Sequence, residues 1–138
     1  MKEKALNIIK FINTREWLSF LIVLIASVLF YSSQIIAAPL WYDELFSLFW
    51  SQLNSPDEVK SVSNWDVAPP GYNLLLHYWT SIFGIKELAV RGLSCLCTSL
   101  MVSLLYLLTK KLFGNISALF VLALCLTNTT VFFYANEA

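Results

Sequence analysis

The chain has 138 residues, of which 58% are hydrophobic and only 13% are charged. Soluble domains are about 25% charged, so this composition excludes an ordinary soluble protein and predicts an all-α integral membrane protein. Basic and acidic residues balance at a formal net charge of +0, which gives no indication of a nucleic-acid partner.

The first apolar segment predicts a membrane span. A basic, amphipathic lead at residues 1–16 precedes an uncharged segment at 17–38. At ~1.5 Å per residue that segment is roughly 33 Å long, enough for the ~30 Å hydrocarbon core. Because basic residues before a span favour the cytoplasm, we expect a multi-pass protein of the plasma (inner) membrane with a cytoplasmic N-terminus.

Two adjacent carboxylates, Asp43 and Glu44, follow this span directly. Charged groups beside hydrocarbon are costly and indicate function. The apolar residues after them recur at helical spacing, which predicts an amphipathic helix at about 43–53 lying in the membrane interface. The whole segment 39–87 is therefore expected to be an extracytoplasmic loop.

The rest of this loop contains a polar stretch, 54–68, and then a second apolar run. Proline at its start and Gly84 at its end are typical helix boundaries, so the run predicts a helix at about 70–83. It is short for a span, and its aromatic residues suit an interface.

Two later segments, 88–109 and 116–134, are long enough to span. If 70–83 lies in the interface, the chain has three spans and Lys110-Lys111 face the cytoplasm. If 70–83 crosses, there are four spans and those lysines lie outside. Segment length favours three spans plus two amphipathic juxtamembrane helices, with four as the alternative.

Several stretches resemble one enzyme family when taken in order and spacing. They are Asp43-Glu44, the run from Asp66 through Pro69-Pro70 to Trp79, the run from Glu87 to Ser94, and the closing Tyr134-Ala135-Asn136-Glu137-Ala138. This set resembles the polyprenyl-phosphate-sugar-dependent membrane glycosyltransferases of the GT-C fold, which include protein O-mannosyltransferases and aminoarabinose transferases (glycosyltransferase families 39 and 83). It departs from them at Ala68, Gly71 and Ala135-Asn136.

The resemblance implies transfer of a sugar from a polyprenyl-phosphate donor to a hydroxyl of a protein, lipid or glycan acceptor, with inversion at the sugar carbon. GT-C enzymes have more spans than this chain. We therefore interpret residues 1–138 as the N-terminal part of such a transmembrane domain, a fragment expected to be inactive alone.

The resemblance and the chemistry assign candidate roles to six residues. The acceptor hydroxyl needs a general base, and Asp43 is the candidate, with Glu44 orienting it or the acceptor. The alternative for Asp43 is a plain helix cap. Candidate substrate-binding residues are Glu137, Asp66, Arg91 and Tyr42; the alternatives are an ordinary loop charge for Glu137, a turn residue for Asp66, and a snorkelling or helix-pairing arginine for Arg91.

No cofactor is required by the sequence. Some GT-C enzymes use a divalent metal, but no ligand cluster here demands one, and the three cysteines lie inside apolar runs. Two other functions stay open: a small non-catalytic membrane scaffold or partner protein, and the first part of a transporter with Asp43 and Glu44 as its substrate or ion site.

Overall fold

The structure is a computed structural model that describes residues 14–33, 35, 39–63 and 70–137. Most of the predicted basic lead, the last residues of the predicted first span and Asp66 lie outside the described residues. The described part is all helical, with no strand. Its helices are α1 (Thr14–Ser32), α2 (Tyr42–Ser51), α3 (Pro56–Ser63), α4 (Pro70–Phe83), α5 (Glu87–Phe113), α6 (Asn115–Thr127) and α7 (Thr129–Ala135).

Helices α1 and α5 are long and apolar enough to cross a membrane. A third span exists if α6 and α7, which meet at an angle of 66°, are one bent span. The expectation of an all-α membrane protein is therefore confirmed, with two to three candidate spans in the described part.

The spans α1 and α5 run antiparallel. Near the end of α5, Lys111 pairs with Glu16 at 3.0 Å and Lys110 Nζ donates to Ser19 Oγ at 3.1 Å. Both partners lie in the first turns of α1. The start of α1 and the end of α5 thus share one end of the spans, called here the lysine end, whereas a four-span chain would separate them.

The connection between α1 and α5 consequently begins and ends at the opposite end of the spans. This connection contains α2, α3 and α4. Helix α4 has 14 residues, about 21 Å at ~1.5 Å per residue and short of the ~30 Å core. It ends at Phe83, and the next residue, Gly84, has a φ of 84° that is easily adopted only by glycine.

Helix α3 lies within the polar stretch 54–68, for which the sequence predicted no helix. Its start has a sequence signature, Ser55-Pro56-Asp57-Glu58. Ser55 Oγ accepts a hydrogen bond from Glu58 N at 3.2 Å, and Glu58 Oε2 accepts one from Asn54 N at 3.2 Å. Ser with Glu three residues later, and proline in the first turn, is a helix N-terminal pattern. This helix was missed because the prediction relied on apolar periodicity, and the stretch has few apolar residues.

The third predicted span, 116–134, is also corrected, because it is two helices and not one. Asn128 lies between α6 and α7, and its Oδ1 accepts hydrogen bonds from Thr130 N at 2.9 Å and Val131 N at 3.1 Å. An asparagine that satisfies the first free N–H groups of a helix starts that helix anew. The chain therefore changes direction by 66° at this point.

Three apolar clusters join the described helices. In the spans, Tyr31 is fully buried against Cys95, Val102 and Ala135, and its hydroxyl donates to Cys125 O at 3.2 Å. Val23, Tyr106 and Ala118 form a second cluster nearer the lysine end. The third, Leu76, Val90 and Leu93, joins α4 to the start of α5. Outside these clusters, most large apolar side chains of α1, α5 and α6 are exposed, as expected for surfaces that face lipid.

Candidate functional site

A buried ion pair joins the start of α2 to α5. Arg91 Nε and Nη2 donate to Glu44 Oε1 and Oε2 at 2.9 and 2.8 Å. The side chains are only 4% and 2% exposed. Glu44 Oε2 also accepts from Trp41 N at 2.9 Å, and Arg91 Nη2 donates to Pro39 O at 3.3 Å. Two parallel bonds between planar groups fix both distance and orientation, so this pair clamps the beginning of α2 onto the span.

The ion pair lies near the edge of the hydrocarbon layer. From Arg91 to Lys110 the helix α5 extends about 29 Å at ~1.5 Å per residue, close to the ~30 Å core thickness. With Lys110 at one boundary, Arg91 is at the other. A charge at this depth is tolerated when it is paired, which is the environment that Glu44 provides. Sequence reasoning named both residues but did not pair them, because they are far apart in the chain.

Asp43, the candidate base, is exposed in the first turn of α2. The residue at the N-cap position is Trp41, so Asp43 lies inside the helix and does not occupy the cap. Ser47 follows it by one turn on the same side of α2. The ion pair thus fixes the carboxylate of Glu44, whereas the carboxylate of Asp43 is exposed.

A cavity of about 350 Å³ opens beside this side of α2. Its lining comes from α2, α4, α5 and the end of α7, and most of the lining side chains carry hydroxyl groups. These are Ser47, Tyr72, Ser94, Cys97, Thr98, Tyr134 and Glu137. Four separate helices therefore build one hydroxyl-rich cavity at the end of the spans opposite the lysines.

Within the cavity wall, the hydroxyls of Tyr72 and Ser94 are hydrogen bonded at 2.9 Å. Burial raises the pKa of Tyr72, and the hydrogen bond to Ser94 opposes part of that rise. Burial disfavours the charged phenolate, so the Tyr72 hydroxyl stays protonated at neutral pH and can both donate and accept a hydrogen bond.

Glu137 reaches this cavity because of the bend at Asn128. Helix α7 ends at Ala135, and Glu137 follows it, exposed at the cavity. The structure thus brings Glu137 to the same end as Asp43, Glu44 and Arg91. The hydroxyls of Ser94, Thr98 and Tyr134 were not among the predicted site residues, since isolated Ser, Thr and Tyr in apolar segments carry no distinctive sequence signal.

Tyr42 lies elsewhere. It is 78% exposed and borders a shallow apolar hollow of about 430 Å³ on the other face of α2. The hollow is lined by Tyr42, Leu45, Phe46, Leu48, Phe49 and Gln52. An aromatic face of this kind suits the membrane interface, and it separates Tyr42 from the hydroxyl-lined cavity.

Among the described residues, no group of three or more His, Cys, Asp or Glu side chains is placed to hold a metal ion. His77 instead packs between α4 and α2, with Nδ1 2.7 Å from Ser51 O.

The fold and the site together define an all-α membrane protein with a carboxylate-bearing, hydroxyl-lined cavity at one end of its spans. Residues 67–137, just over half of the chain, match the family described as dolichyl-phosphate-mannose-protein mannosyltransferase. The chain belongs to this family, which makes it a membrane protein of the glycosyltransferase class. Searches of curated proteins and of solved structures found no match.

The matched segment contains α4, α5, α6 and α7, and with them Arg91 and Glu137. It does not include α2. The ion pair between Glu44 and Arg91 joins the matched segment to the helix that carries Asp43, and the contact of His77 with Ser51 O joins the same helix to α4.

Proposed function

We propose that this chain contributes one wall of the active site of a glycosyltransferase that moves a sugar, mannose by the family match, from a polyprenyl-phosphate donor to an acceptor hydroxyl. Asp43 is the general base. The observation that carries this proposal is the clamp between Glu44 and Arg91, which holds the Asp43 turn of α2 against a segment that belongs to the mannosyltransferase family.

The position of Asp43 supports the role. A general base must come within hydrogen-bond distance of the proton that it removes. Asp43 is exposed, while the neighbouring carboxylate of Glu44 is buried and fully engaged. The Ser47 edge of the cavity lies one helical turn away, about 6 Å at ~1.5 Å per residue. An acceptor at Asp43 and a donor sugar at the cavity are therefore within reach of each other.

The reaction proceeds by direct displacement. The Asp43 carboxylate takes the proton of the acceptor hydroxyl while the acceptor oxygen forms a bond to C1 of the sugar. The bond from C1 to the phosphate oxygen breaks, and its electron pair leaves with the polyprenyl phosphate. Attack opposite to the leaving group inverts C1. Because the polyprenyl phosphate is already a good leaving group, the catalytic group that the protein must supply is the base for the acceptor hydroxyl.

The other site residues have supporting roles in this proposal. Glu44 and Arg91 are positioning residues, because their side chains are hydrogen bonded to each other and neither lines the cavity. Glu137 contacts substrate from α7's end of the cavity. Asp66 and Tyr42 stay candidate acceptor or lipid contacts: the first is outside the described residues and the second faces away from the cavity.

The membrane arrangement is part of the proposal. We propose three spans, formed by α1, α5 and the bent pair of α6 and α7, with the N-terminus and the lysine end in the cytoplasm. The pairing of Lys110 and Lys111 with the start of α1 supports this arrangement. The cavity and Asp43 then face the extracytoplasmic side, where a protein acceptor is available.

The test is sugar transfer by membranes that contain the full-length enzyme with Asp43→Asn. Labelled polyprenyl-phosphate mannose is the donor, and label transferred to protein is measured. Loss of a general base typically costs about 10²–10⁴-fold in rate, and we expect a loss in this range. Asp57→Asn is the matched control, since Asp57 is a carboxylate with a 94% exposed side chain in the same loop. Equal transfer by both variants would contradict the assignment of the base.

A further inference from the structure

A groove near the lysine end lies far from the proposed active site. It has a volume of about 360 Å³ and runs between α1 and α6, with Tyr106 of α5 in its lining. Its walls are mostly aliphatic, with Ile22 and Ala26 on α1 and Leu119 on α6. Ile22 and Leu119 are each 58% exposed, so the described helices leave this groove open on the side that faces lipid.

The end of the groove nearest the lysines is marked by an ammonium group. Lys110 Nζ donates to Ser19 Oγ at 3.1 Å and lies 6.0 Å from the centre of the Tyr106 ring. Ser19 and Tyr106 both line the groove. An ammonium group has three N–H donors, so Lys110 can donate to a further acceptor while it keeps its bond to Ser19.

Arg15 adds a second positive charge at this mouth. It is exposed and lies one turn before Ser19 on the same side of α1. The neighbouring carboxylate of Glu16 pairs with Lys111 at 3.0 Å, so these two charges offset each other. Of the charged residues that the structure describes here, Arg15 and Lys110 give the mouth a net positive charge, which favours an anionic ligand.

The groove is about as deep as one leaflet of a membrane. On α1 it runs from Ser19 to Ser27, which is about 12 Å at ~1.5 Å per residue. One leaflet is half of the ~30 Å hydrocarbon core, or about 15 Å. Beyond the groove, the Tyr31 hydroxyl donates to Cys125 O at 3.2 Å and joins α1 to α6. A further transmembrane helix needs a contact surface across the whole core, whereas an acyl chain of one leaflet fits this length.

We infer that the groove binds one anionic phospholipid from the leaflet at the lysine end. Its phosphate accepts hydrogen bonds from Lys110 and Arg15, and one acyl chain lies against Ile22, Ala26 and Leu119. A bound lipid then connects α1 to α6 along the groove. This inference does not depend on the sugar-transfer reaction, because the groove and Asp43 are at opposite ends of the spans.

The charged mouth, and not the apolar wall, makes the groove selective. Lipid tails are as apolar as leucine, so the walls gain little when one lipid replaces another. A lysine or arginine at the surface attracts an anionic headgroup, and a hydrogen bond between charged groups is stronger than one between neutral groups. We therefore expect an anionic phospholipid to be retained where a zwitterionic one exchanges with the bulk membrane.

Native mass spectrometry of the full-length enzyme measures this retention directly. The protein is released from a neutral detergent at increasing concentrations of dioleoylphosphatidylglycerol, and the Kd for the first bound lipid is obtained from the bound fraction. Dioleoylphosphatidylcholine, which has the same chains and a zwitterionic headgroup, is the reference. We expect phosphatidylglycerol to bind at least about fivefold more tightly than phosphatidylcholine.

A variant at Lys110 tests the contact with the headgroup. Lys110→Gln should weaken phosphatidylglycerol binding about fivefold or more and leave phosphatidylcholine binding unchanged, since only the attraction to the anionic headgroup is lost. Lys86→Gln is the matched control, because Lys86 is an exposed lysine at the opposite end of α5. It should leave the Kd for phosphatidylglycerol unchanged.

A second variant fills the groove and keeps both cations. Ala26→Trp places a large side chain where the acyl chain lies and should weaken phosphatidylglycerol binding about tenfold. Ala123→Trp is its control, since Ala123 is exposed on α6 and does not line the groove. Circular dichroism of each variant in the same detergent should show the helix content of the wild-type protein, so that weaker binding reports the site and not unfolding.

Three results would overturn the inference. Equal binding of the two phospholipids would remove the role of the charged mouth. Phosphatidylglycerol binding that neither Lys110→Gln nor Ala26→Trp changes would mean that the lipid lies elsewhere and that another helix of the full-length enzyme covers the groove. Polyprenyl phosphate that binds more tightly than phosphatidylglycerol, and loses this binding in Lys110→Gln, would assign the groove to the carrier lipid instead.

Discussion

Removal of one partner of the Glu44–Arg91 pair should cost more stability than any other single change at this end of the molecule. The two side chains are 2% and 4% exposed and share two hydrogen bonds of 2.8 and 2.9 Å. Arg91→Met leaves the Glu44 carboxylate buried without its cation. Breaking a buried pair in this way costs about 3–5 kcal/mol, and the bond from Arg91 to Pro39 O is lost as well.

Glu44→Met should cost a similar amount, because it leaves the guanidinium buried and removes the acceptor of Trp41 N. The double variant, with methionine at both positions, leaves neither charge behind. Replacing a whole buried pair by apolar groups is often nearly neutral. We therefore expect the double variant to be more stable than either single one, which requires a coupling free energy larger than the cost of either single change, more than about 3–5 kcal/mol.

The assay is equilibrium unfolding in mixed micelles, with increasing dodecyl sulfate and helix content as the signal. The control is Lys111→Met, which breaks the partly exposed pair with Glu16 and should cost no more than about 1 kcal/mol. Additive losses in the double variant would refute the reasoning, because they would mean that Glu44 and Arg91 stabilise the fold independently.

Three further predictions follow from the bend, the cavity and the spans. Asn128→Ala removes the acceptor of Thr130 N and Val131 N and should cost about 0.5–2 kcal/mol in the same unfolding assay; a loss below about 0.3 kcal/mol would show that the bend is held by packing. Because the pKa of Tyr72 is raised in the folded state, the folded protein binds more protons than the unfolded one above pH ~10. Its stability should therefore fall as pH rises from about 10, and Tyr72→Phe should make that slope shallower; an unchanged slope would contradict the burial of the phenol. Cysteine placed at Lys110 and at Lys86 should label from opposite sides of the membrane, since Lys110 lies beside the start of α1 and Lys86 before α5; labelling from the same side would contradict the three-span arrangement.

Much of the fold could be predicted from the sequence, because membrane spans and amphipathic helices are encoded by local hydrophobic patterns. Helix α4 begins and ends at Pro70 and Phe83, where proline and glycine indicate its boundaries. The boundaries at α3 and at Asn128 were missed for a shared reason. Both are set by side-chain caps, and single hydrogen bonds to Ser55 Oγ or Asn128 Oδ1 carry little weight against average hydrophobicity.

The site was less predictable, because its geometry depends on contacts between distant parts of the chain. Glu44 and Arg91 were each singled out, yet their pairing across 47 positions has no local signature. The same holds for the cavity, whose hydroxyls come from four helices. The candidate role of Glu137 came from a family resemblance, and its approach to the cavity depends on the bend at Asn128.

The central claim is that Asp43 acts on the acceptor proton and does not hold the donor. The most direct measurement is the dependence of initial transfer rate on donor concentration for Asp43→Asn, in the same membranes as the wild-type protein. The account predicts a kcat reduced about 10²–10⁴-fold with KM for the donor nearly unchanged. An unchanged kcat, or a loss confined to KM, would contradict it.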